Sequence, residues 1–296
     1  MPSEEARALN EMFKNMPKGD GGYLKEREEG KNRPKPPLPK GVTLKELNLR
    51  GNYAELIEKP GNTGLLIMYI HGGGFQTGAA QERREITFEI VDKYGSNVVA
   101  NNYRLAPENK WPAALEDCVA AYEALLGKGY APWKIVLAGE SAGGSLVLAS
   151  LLYMRDHNIP LPRAAVVYSC SITHTTLHLP SHTENAKTDY MLGDAVASND
   201  LEHLFGNGPD AEERSRHPYI SPYFADFRGL PPTFIAVSDS EALYDDSRVL
   251  YEKMKQAGVR AELHVGHDLI HAYPIFPNLP ESVETMKKTF EFLDTV

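Results

Sequence analysis

A serine flanked by glycines follows an apolar segment at residues 135–144, which read IVLAGESAGG. The apolar half predicts a buried strand and the residues after it predict a helix, so Ser141 falls on the turn between them. Gly139 and Gly143 suit so crowded a turn. A lone Gly-x-Ser-x-Gly also occurs in ordinary turns, so the assignment depends on this strand, this helix and suitable partners. With these, the pattern predicts a nucleophile elbow, in which the serine hydroxyl attacks a carbonyl carbon.

A second glycine-rich segment, HGGGF at residues 71–75, follows the apolar residues 65–70. Consecutive glycines permit close backbone approach to a reacting group. Opposite Ser141, the N–H groups of Gly73, Gly74 and Ala142 would form an oxyanion hole. The alternative is a phosphate-binding loop or a plain turn, but a phosphate loop needs lysine and serine or threonine where phenylalanine and glutamine follow here.

Together with further segments, these motifs resemble the hormone-sensitive-lipase-like family of α/β-hydrolase esterases. The further segments are NYRLAPE at 102–108, WPAALED at 111–117 and residues 229–272, and the resemblance covers about residues 60–295. It implies an α/β-hydrolase fold, esterase activity and a triad in the chain order serine, acid, histidine. The first 42 residues are similar to the amino-terminal cap of that family only in position.

A serine hydroxyl needs a histidine to take its proton and an acid to orient that histidine. Only His267 and His271 follow the last predicted strand, at residues 261–265. The family carries its base in a His-Gly-Phe-like motif, which residues 271–273 (His-Ala-Tyr) resemble, with alanine replacing the usual glycine. The resemblance therefore selects His271, with His267 as the alternative.

The candidate acids all follow the predicted strand at residues 233–237; they are Asp239, Glu241, Asp245 and Asp246. The last two resemble the capping acids of a helix start. The family pattern of acid, small residue, leucine, any residue and aspartate matches residues 241–245 (EALYD), with glutamate where most members have aspartate. The resemblance thus implies Glu241, and Asp239 remains the main alternative.

Other polar residues have structural interpretations. Arg104 and Glu108 would pair to brace their loop, and Glu140 would contact neighbours of the elbow rather than substrate. Three histidines, His174, His178 and His182, have the spacing of metal ligands on a helix. A proline and three threonines argue against a helix there, so we expect surface or lid histidines and no metal.

Predicted strands and helices alternate from residue 65 onward, which indicates an α/β fold with a mostly parallel sheet between helices. A hairpin at 42–57 would lie at one edge of the sheet. Residues 171–221 break the alternation with one helix near 195–205, and we expect them to form part of a lid. We predict a cap arm at 1–42, beginning with an amphipathic helix, and a catalytic domain at 43–296.

The net charge of −9 disfavours nucleic acid and anionic membrane as partners. The sequence lacks a signal-peptide core and an apolar run of membrane-spanning length, which predicts a cytoplasmic protein. Cys118 and Cys170 are expected to be buried free thiols. An exposed edge strand makes a homodimer conceivable.

The sequence thus predicts a serine carboxylesterase that hydrolyses small esters of short or medium acyl chains, acetyl esters included, through an acyl-enzyme and without a cofactor. An amidase or arylformamidase with the same triad is an alternative. A receptor is another, since the plant gibberellin receptors resemble this family but lack the catalytic histidine. The presence of His271 favours an enzyme.

Overall fold

An eight-stranded sheet lies at the centre of the structure, a computed structural model that describes residues 1–16, 22–62, 64–198, 202–206 and 210–296. The strands are β1 (Thr43–Leu49), β2 (Asn52–Glu58), β3 (Leu66–Ile70), β4 (Asn97–Asn101), β5 (Ile135–Glu140), β6 (Ala164–Tyr168), β7 (Thr233–Ser238) and β8 (Ala261–Gly266). Their spatial order is β1-β2-β4-β3-β5-β6-β7-β8. Strands β3 to β8 run parallel, whereas β1 and β2 form an antiparallel hairpin at one edge. The predicted α/β class and edge hairpin are confirmed.

Helices cover both faces of the sheet. They are α1 (Glu4–Asn15), α2 (Gly22–Asn32), α3 (Arg84–Lys93), α4 (Ala113–Gly127), α5 (Ala142–Asp156), α6 (Ser181–Glu184), α7 (Ala195–Ser198), α8 (Glu202–Phe205), α9 (Ala211–Ser215), α10 (Tyr244–Gln256) and α11 (Pro280–Asp294). Alternate residues of β3 point to opposite faces: Met68 packs in the core beneath α4, α5 and α10, and Tyr69 in the core beneath α3 and α11. A fully apolar strand is therefore required at this position.

The segments outside the alternating pattern differ most from the predictions. Helix α2 lies in the arm where none was predicted. The single helix predicted at 195–205 corresponds to α7 and α8, and residues 199–201 between them lie outside the described residues. In the described ranges, no helix is both long enough and apolar enough to cross a bilayer.

The parallel order places several loops at one edge of the sheet. The carboxyl ends of β3, β5, β6, β7 and β8 are neighbours in that order. The glycine loop, Ser141 and the loops carrying Glu241 and His271 follow β3, β5, β7 and β8, respectively. Ligands of open α/β sheets bind at this edge, so the topology alone brings the predicted residues towards one place.

Candidate active site

Ser141 occupies a strained turn at the start of α5. Its backbone has φ 53° and ψ −127°, which a residue other than glycine seldom adopts, and its N–H donates to the Tyr168 carbonyl at 2.9 Å. A Cβ on Gly143 would lie 2.1 Å from the Ile70 carbonyl oxygen. Only glycine at 143 lets α5 approach the end of β3 so closely, which accounts for the glycine-rich motif.

His271 and Glu241 form a buried pair. His271 Nδ1 lies 2.6 Å from Glu241 Oε2, and the two side chains are 3% and 0% exposed. The other carboxylate oxygen accepts the Ser238 N–H at 2.7 Å. In the part of the chain that the structure describes, no group hydrogen-bonds to His271 Nε2, so the hydrogen bond from Ser141 to this nitrogen is not formed. The hydrogen bond thus fixes the carboxylate of Glu241 and the ring of His271 relative to each other. The Nε2 atom of the ring is left without a hydrogen-bond partner among the described residues.

The charge surroundings of His271 favour a proton on the ring. Burial lowers the pKa of His271, but the hydrogen bond to Glu241 and the negative charges of Glu241, Asp189 and Glu140 outweigh burial and raise it above the ordinary value of 6.5. An imidazole of this kind accepts a proton readily and remains neutral only above its raised pKa.

Ser169 connects the segments that carry Ser141, Glu241 and His271, and this role was not predicted from the sequence. It directly follows Tyr168, whose carbonyl binds Ser141. Its hydroxyl donates to Glu241 Oε1 at 2.8 Å and accepts the Ala272 N–H at 3.2 Å. The residue is fully buried and has a φ of 49°. No sequence motif surrounds Ser169. The only signal in the sequence is its position directly after β6, which lies between β5 and β7 in the sheet.

The alternative acid and base also pair, but at the surface. His267 Nδ1 lies 2.8 Å from Asp239 Oδ2, with the side chains 76% and 40% exposed. Water surrounds such a pair and screens its charge. The structure therefore separates a buried pair, His271 with Glu241, from a solvated one.

The glycine loop is held from below by buried polar groups. Gly72 N–H donates to Glu140 Oε1 at 2.5 Å, and the same carboxylate pairs with Arg83 at 2.6 Å. The Tyr103 hydroxyl donates to the His71 carbonyl at 2.9 Å. A Cβ on Gly73, whose φ is 119°, would lie 2.3 Å from the Thr77 carbonyl oxygen. Glu140 contacts neighbours of the elbow, as predicted, and through Gly72 it also supports the glycine loop. The position of Gly73 accepts only glycine.

A match to a known family spans most of this architecture. Residues 67–275 match the family model described as alpha/beta hydrolase fold. The chain belongs to this alpha/beta hydrolase family. An acetyl-hydrolase of Streptomyces hygroscopicus is 35% identical over 244 residues, which are 82% of this chain and 79% of the relative.

Solved structures agree with the family and with the resemblance to hormone-sensitive lipases. This hydrolase superposes on the esterase EstE5, crystallised and soaked with p-nitrophenyl butyrate, with a TM-score of 0.88 and 34% identity over 98% of this chain and 97% of EstE5. An esterase from the bacterial hormone-sensitive lipase family gives a TM-score of 0.86 and 35% identity over 99% and 98% of the two chains. The family resemblance inferred from the motifs is confirmed.

The insertion of this hydrolase at 171–221 is fastened to the loop that carries Glu241. Asn185 Nδ2 donates to the Glu241 carbonyl at 2.9 Å, and Asp189 Oδ2 accepts the Ala242 N–H at 2.9 Å. His182 Nε2 lies 2.6 Å from Asp246 Oδ2, and both side chains are buried. The insertion therefore contributes to the position of the acid.

The three histidines at four-residue spacing do not share a helix. His182 lies in α6, His178 packs edge-on against its ring at 6.1 Å, and His174 contacts the ring of Phe75 at 5.3 Å. Within the described residues, no group of three histidine, cysteine or acidic side chains could hold a metal ion.

The amino-terminal arm reaches two loops of the site. From α1, Asn10 donates to the Asp268 carbonyl at 2.9 Å. From α2, Arg27 donates to the Gln76 carbonyl at 2.6 Å and pairs with Glu108 at 2.8 Å. The predicted Arg104–Glu108 pair is therefore wrong.

Arg104 pairs instead with Asp117, at 2.9 Å. The sequence could not show this exchange, because the competing partner of Glu108 lies in the unpredicted helix α2.

An open pocket of about 240 Å³ leads to Ser141. Its wall combines the glycine loop, the start of α5, the insertion and the loop after β7. The lining residues are Gly74, Phe75, Gln76, Ser141, Ala142, Ser171, Thr173, His174, Leu192, Ala195, Val196, Leu204 and Leu243. A mostly apolar pocket with a serine in its wall suits a small molecule with an apolar part and one reactive polar group.

Proposed function

We propose that this hydrolase is a serine carboxylesterase in which Ser141, His271 and Glu241 act as nucleophile, base and acid. The class is that of its relatives, a carboxylic ester hydrolase. The observation that carries the residue assignment is the buried His271–Glu241 pair, in which Nε2 of the ring has no hydrogen-bond partner among the described residues. The strained turn at Ser141 lies at the same edge of the sheet.

In the proposed reaction, Ser141 Oγ attacks the ester carbonyl carbon while His271 Nε2 takes the hydroxyl proton. The C–O bond to the alcohol then breaks, and His271 returns the proton to the leaving oxygen. Water then attacks the acyl carbon while His271 Nε2 takes a proton from it. The bond between that carbon and Ser141 Oγ breaks, His271 returns the proton to Oγ, and the carboxylic acid leaves. Glu241 holds the ring in the tautomer with hydrogen on Nδ1 and stabilises the imidazolium.

The negative charge on the carbonyl oxygen would be held by the N–H groups of Gly73, Gly74 and Ala142. Two features support this proposal: Gly72 is fixed by Glu140, and Ala142 is the first residue of α5. The positive end of a helix dipole lies at this terminus. Loss of one donor of this kind costs about 2.7 to 4 kcal/mol of transition-state stabilisation.

We propose esters of short and medium acyl chains as substrates, with acetyl esters among them. The acetyl-hydrolase relative supports the acetyl group, and the pocket of about 240 Å³ at Ser141 supports a small acyl chain. Residues 1–42 and 171–221 would together form the cap, since both contact loops of the site.

Turnover of p-nitrophenyl acetate tests this function. The wild-type chain should hydrolyse the ester well above background, and Ser141→Ala should reduce the rate to background while the far-ultraviolet spectrum stays unchanged. A receptor of the same fold would give no turnover in either chain. The matching anilide separates an esterase from an amidase, because an amidase would cleave the anilide at a measurable rate, whereas an esterase would leave it intact.

A further inference from the structure

A small cavity lies behind the catalytic pocket. It has a volume of about 30 Å³ and shares three wall residues, Phe75, His174 and Leu204, with the open pocket at Ser141. Other parts of its wall come from Leu146 and Ala149 of α5. One water molecule needs about 10 to 15 Å³ on the same measure, so the cavity has room for about two groups of that size.

The cavity follows the nucleophile along α5. Ser141, Ser145 and Ala149 are spaced by four residues and therefore lie on one face of the helix. Ser145 and Ala149 line the cavity, and about 12 Å of helix separates Ala149 from Ser141. An acyl chain bound to Ser141 Oγ that followed this face would pass Phe75 and end in the cavity.

Several polar side chains of the cavity wall have partners of their own. Ser145 Oγ donates to the Ser171 carbonyl at 2.7 Å, and Asn109 Nδ2 donates to the Leu105 carbonyl at 3.2 Å. The Arg104 guanidinium pairs with Asp117 at 2.9 Å. Trp111 Nε1 also belongs to the wall and is buried without a hydrogen-bond partner among the described residues. Most of the wall is nevertheless apolar, which suits hydrocarbon, for which burial is favourable.

Phe75 stands between the two spaces in a fixed position. Its φ of 62° is unusual for a bulky residue, and its carbonyl accepts the Ala106 N–H at 2.9 Å. Its ring meets the His174 ring edge-on at 5.3 Å. A bulky side chain held in a strained backbone conformation next to a site suggests that its direction matters.

We propose that Phe75 sets the acyl-chain length of the esterase by closing the passage from the catalytic pocket to the cavity along α5. The proposal rests on the proposed esterase function. Short acyl chains occupy the open pocket alone, whereas a medium chain needs the space behind the ring of Phe75.

The test compares kcat/KM for p-nitrophenyl octanoate and p-nitrophenyl acetate. Phe75→Ala should raise the octanoate-to-acetate ratio at least about tenfold, because each buried methylene is worth about fourfold in affinity. Phe75→Trp should lower the ratio. The matched control is Phe290→Ala, another half-buried phenylalanine, stacked on Tyr94 at 4.5 Å in the core of the opposite face. It should keep the wild-type ratio.

A second substitution on the far wall makes the test specific to the cavity. Ala149→Val should cancel most of the gain when combined with Phe75→Ala, and should leave the acetate rate of that variant unchanged. If Phe75→Ala lowers all rates, Phe75→Leu replaces it. An unchanged ratio in the Phe75 variants, or a gain that survives Ala149→Val, overturns the proposal. Acetate turnover remains as the separate measure of the proposed function.

Discussion

Two buried histidine–carboxylate pairs of this hydrolase have the same length but different surroundings. His271 lies 2.6 Å from Glu241, and His182 lies 2.6 Å from Asp246. The second ring nitrogen of His182 accepts the Leu179 N–H at 3.3 Å, whereas that of His271 has no hydrogen-bond partner among the described residues. A short contact to a carboxylate therefore does not mark a catalytic histidine. The two pairs differ instead in the second ring nitrogen, which is hydrogen-bonded in His182 and has no partner among the described residues in His271.

The largest expected effect comes from replacing the two histidines. His271→Gln should lower kcat for p-nitrophenyl acetate by about 10⁴-fold or more, since the general base is lost. His182→Gln should leave kcat within a few-fold of wild type. Steady-state kinetics below the unfolding temperature of both variants would measure this contrast, and equal losses would erase the distinction between the pairs.

The two acids should differ in the same way. Glu241→Gln should reduce kcat by about 10³- to 10⁴-fold, because the ring loses its orienting charge. Asp246 Oδ1 also accepts the Ile172 N–H at 2.8 Å, so Asp246→Asn weakens the attachment of the insertion. We expect the free energy of unfolding of this variant to fall by about 2 kcal/mol. Its activity should stay close to that of the wild type. Chemical denaturation measures the free energy of unfolding of each variant, and steady-state kinetics measures kcat. An Asp246→Asn variant that is stable but inactive would contradict the expectation.

Ser169 sharpens the account of what positions His271. Ser169→Ala removes a donor to Glu241 and an acceptor of Ala272 N–H, and we expect kcat to fall about tenfold. The acid limb of the pH profile should also move, because the charge of Glu241 is less stabilised. Ser150→Ala is the matched control, since its buried hydroxyl has no partner in the described structure. Equal effects in both variants would assign Ser169 to packing alone.

The smallest expected effect concerns pH. Because the pKa of His271 is raised above 6.5, kcat/KM should be full above that raised pKa and fall as the pH drops through it. Asp189 contributes negative charge to the ring, so Asp189→Asn should move the acid limb to lower pH. A pH–rate profile of both chains measures the shift, and a limb that moves to higher pH would show that this charge does not act on His271.

Local patterns predicted the alternating sheet, the turn at Ser141 and the glycine loop, because each is encoded by neighbouring residues. Helix α2 was missed since it buries only Gly30 and therefore has no apolar stripe. Ser169 and Arg27 were missed for another reason. Their contacts join residues 72 and 81 positions apart, respectively, and such distant pairs leave no periodicity in the sequence.

The insertion shows the same limit more strongly. Its three histidines have a regular spacing, yet two of them have neighbours from other segments: Phe75 for His174 and Asp246 for His182. Spacing alone could not separate a lid contact from a ligand set. The resemblance to a family was needed to choose His271 and Glu241, and the buried contact between them is what makes that choice chemically reasonable.

Covalent labelling of Ser141 by diisopropyl fluorophosphate tests the central claim most directly, because the reaction requires an activated hydroxyl but no substrate turnover. Mass spectrometry should find one label per chain, on Ser141, at similar rates in wild type and His182→Gln, and at least about 10³-fold more slowly in His271→Gln. Fast labelling of His271→Gln, or a label on another residue, would contradict the assignment of His271 as the base that activates Ser141.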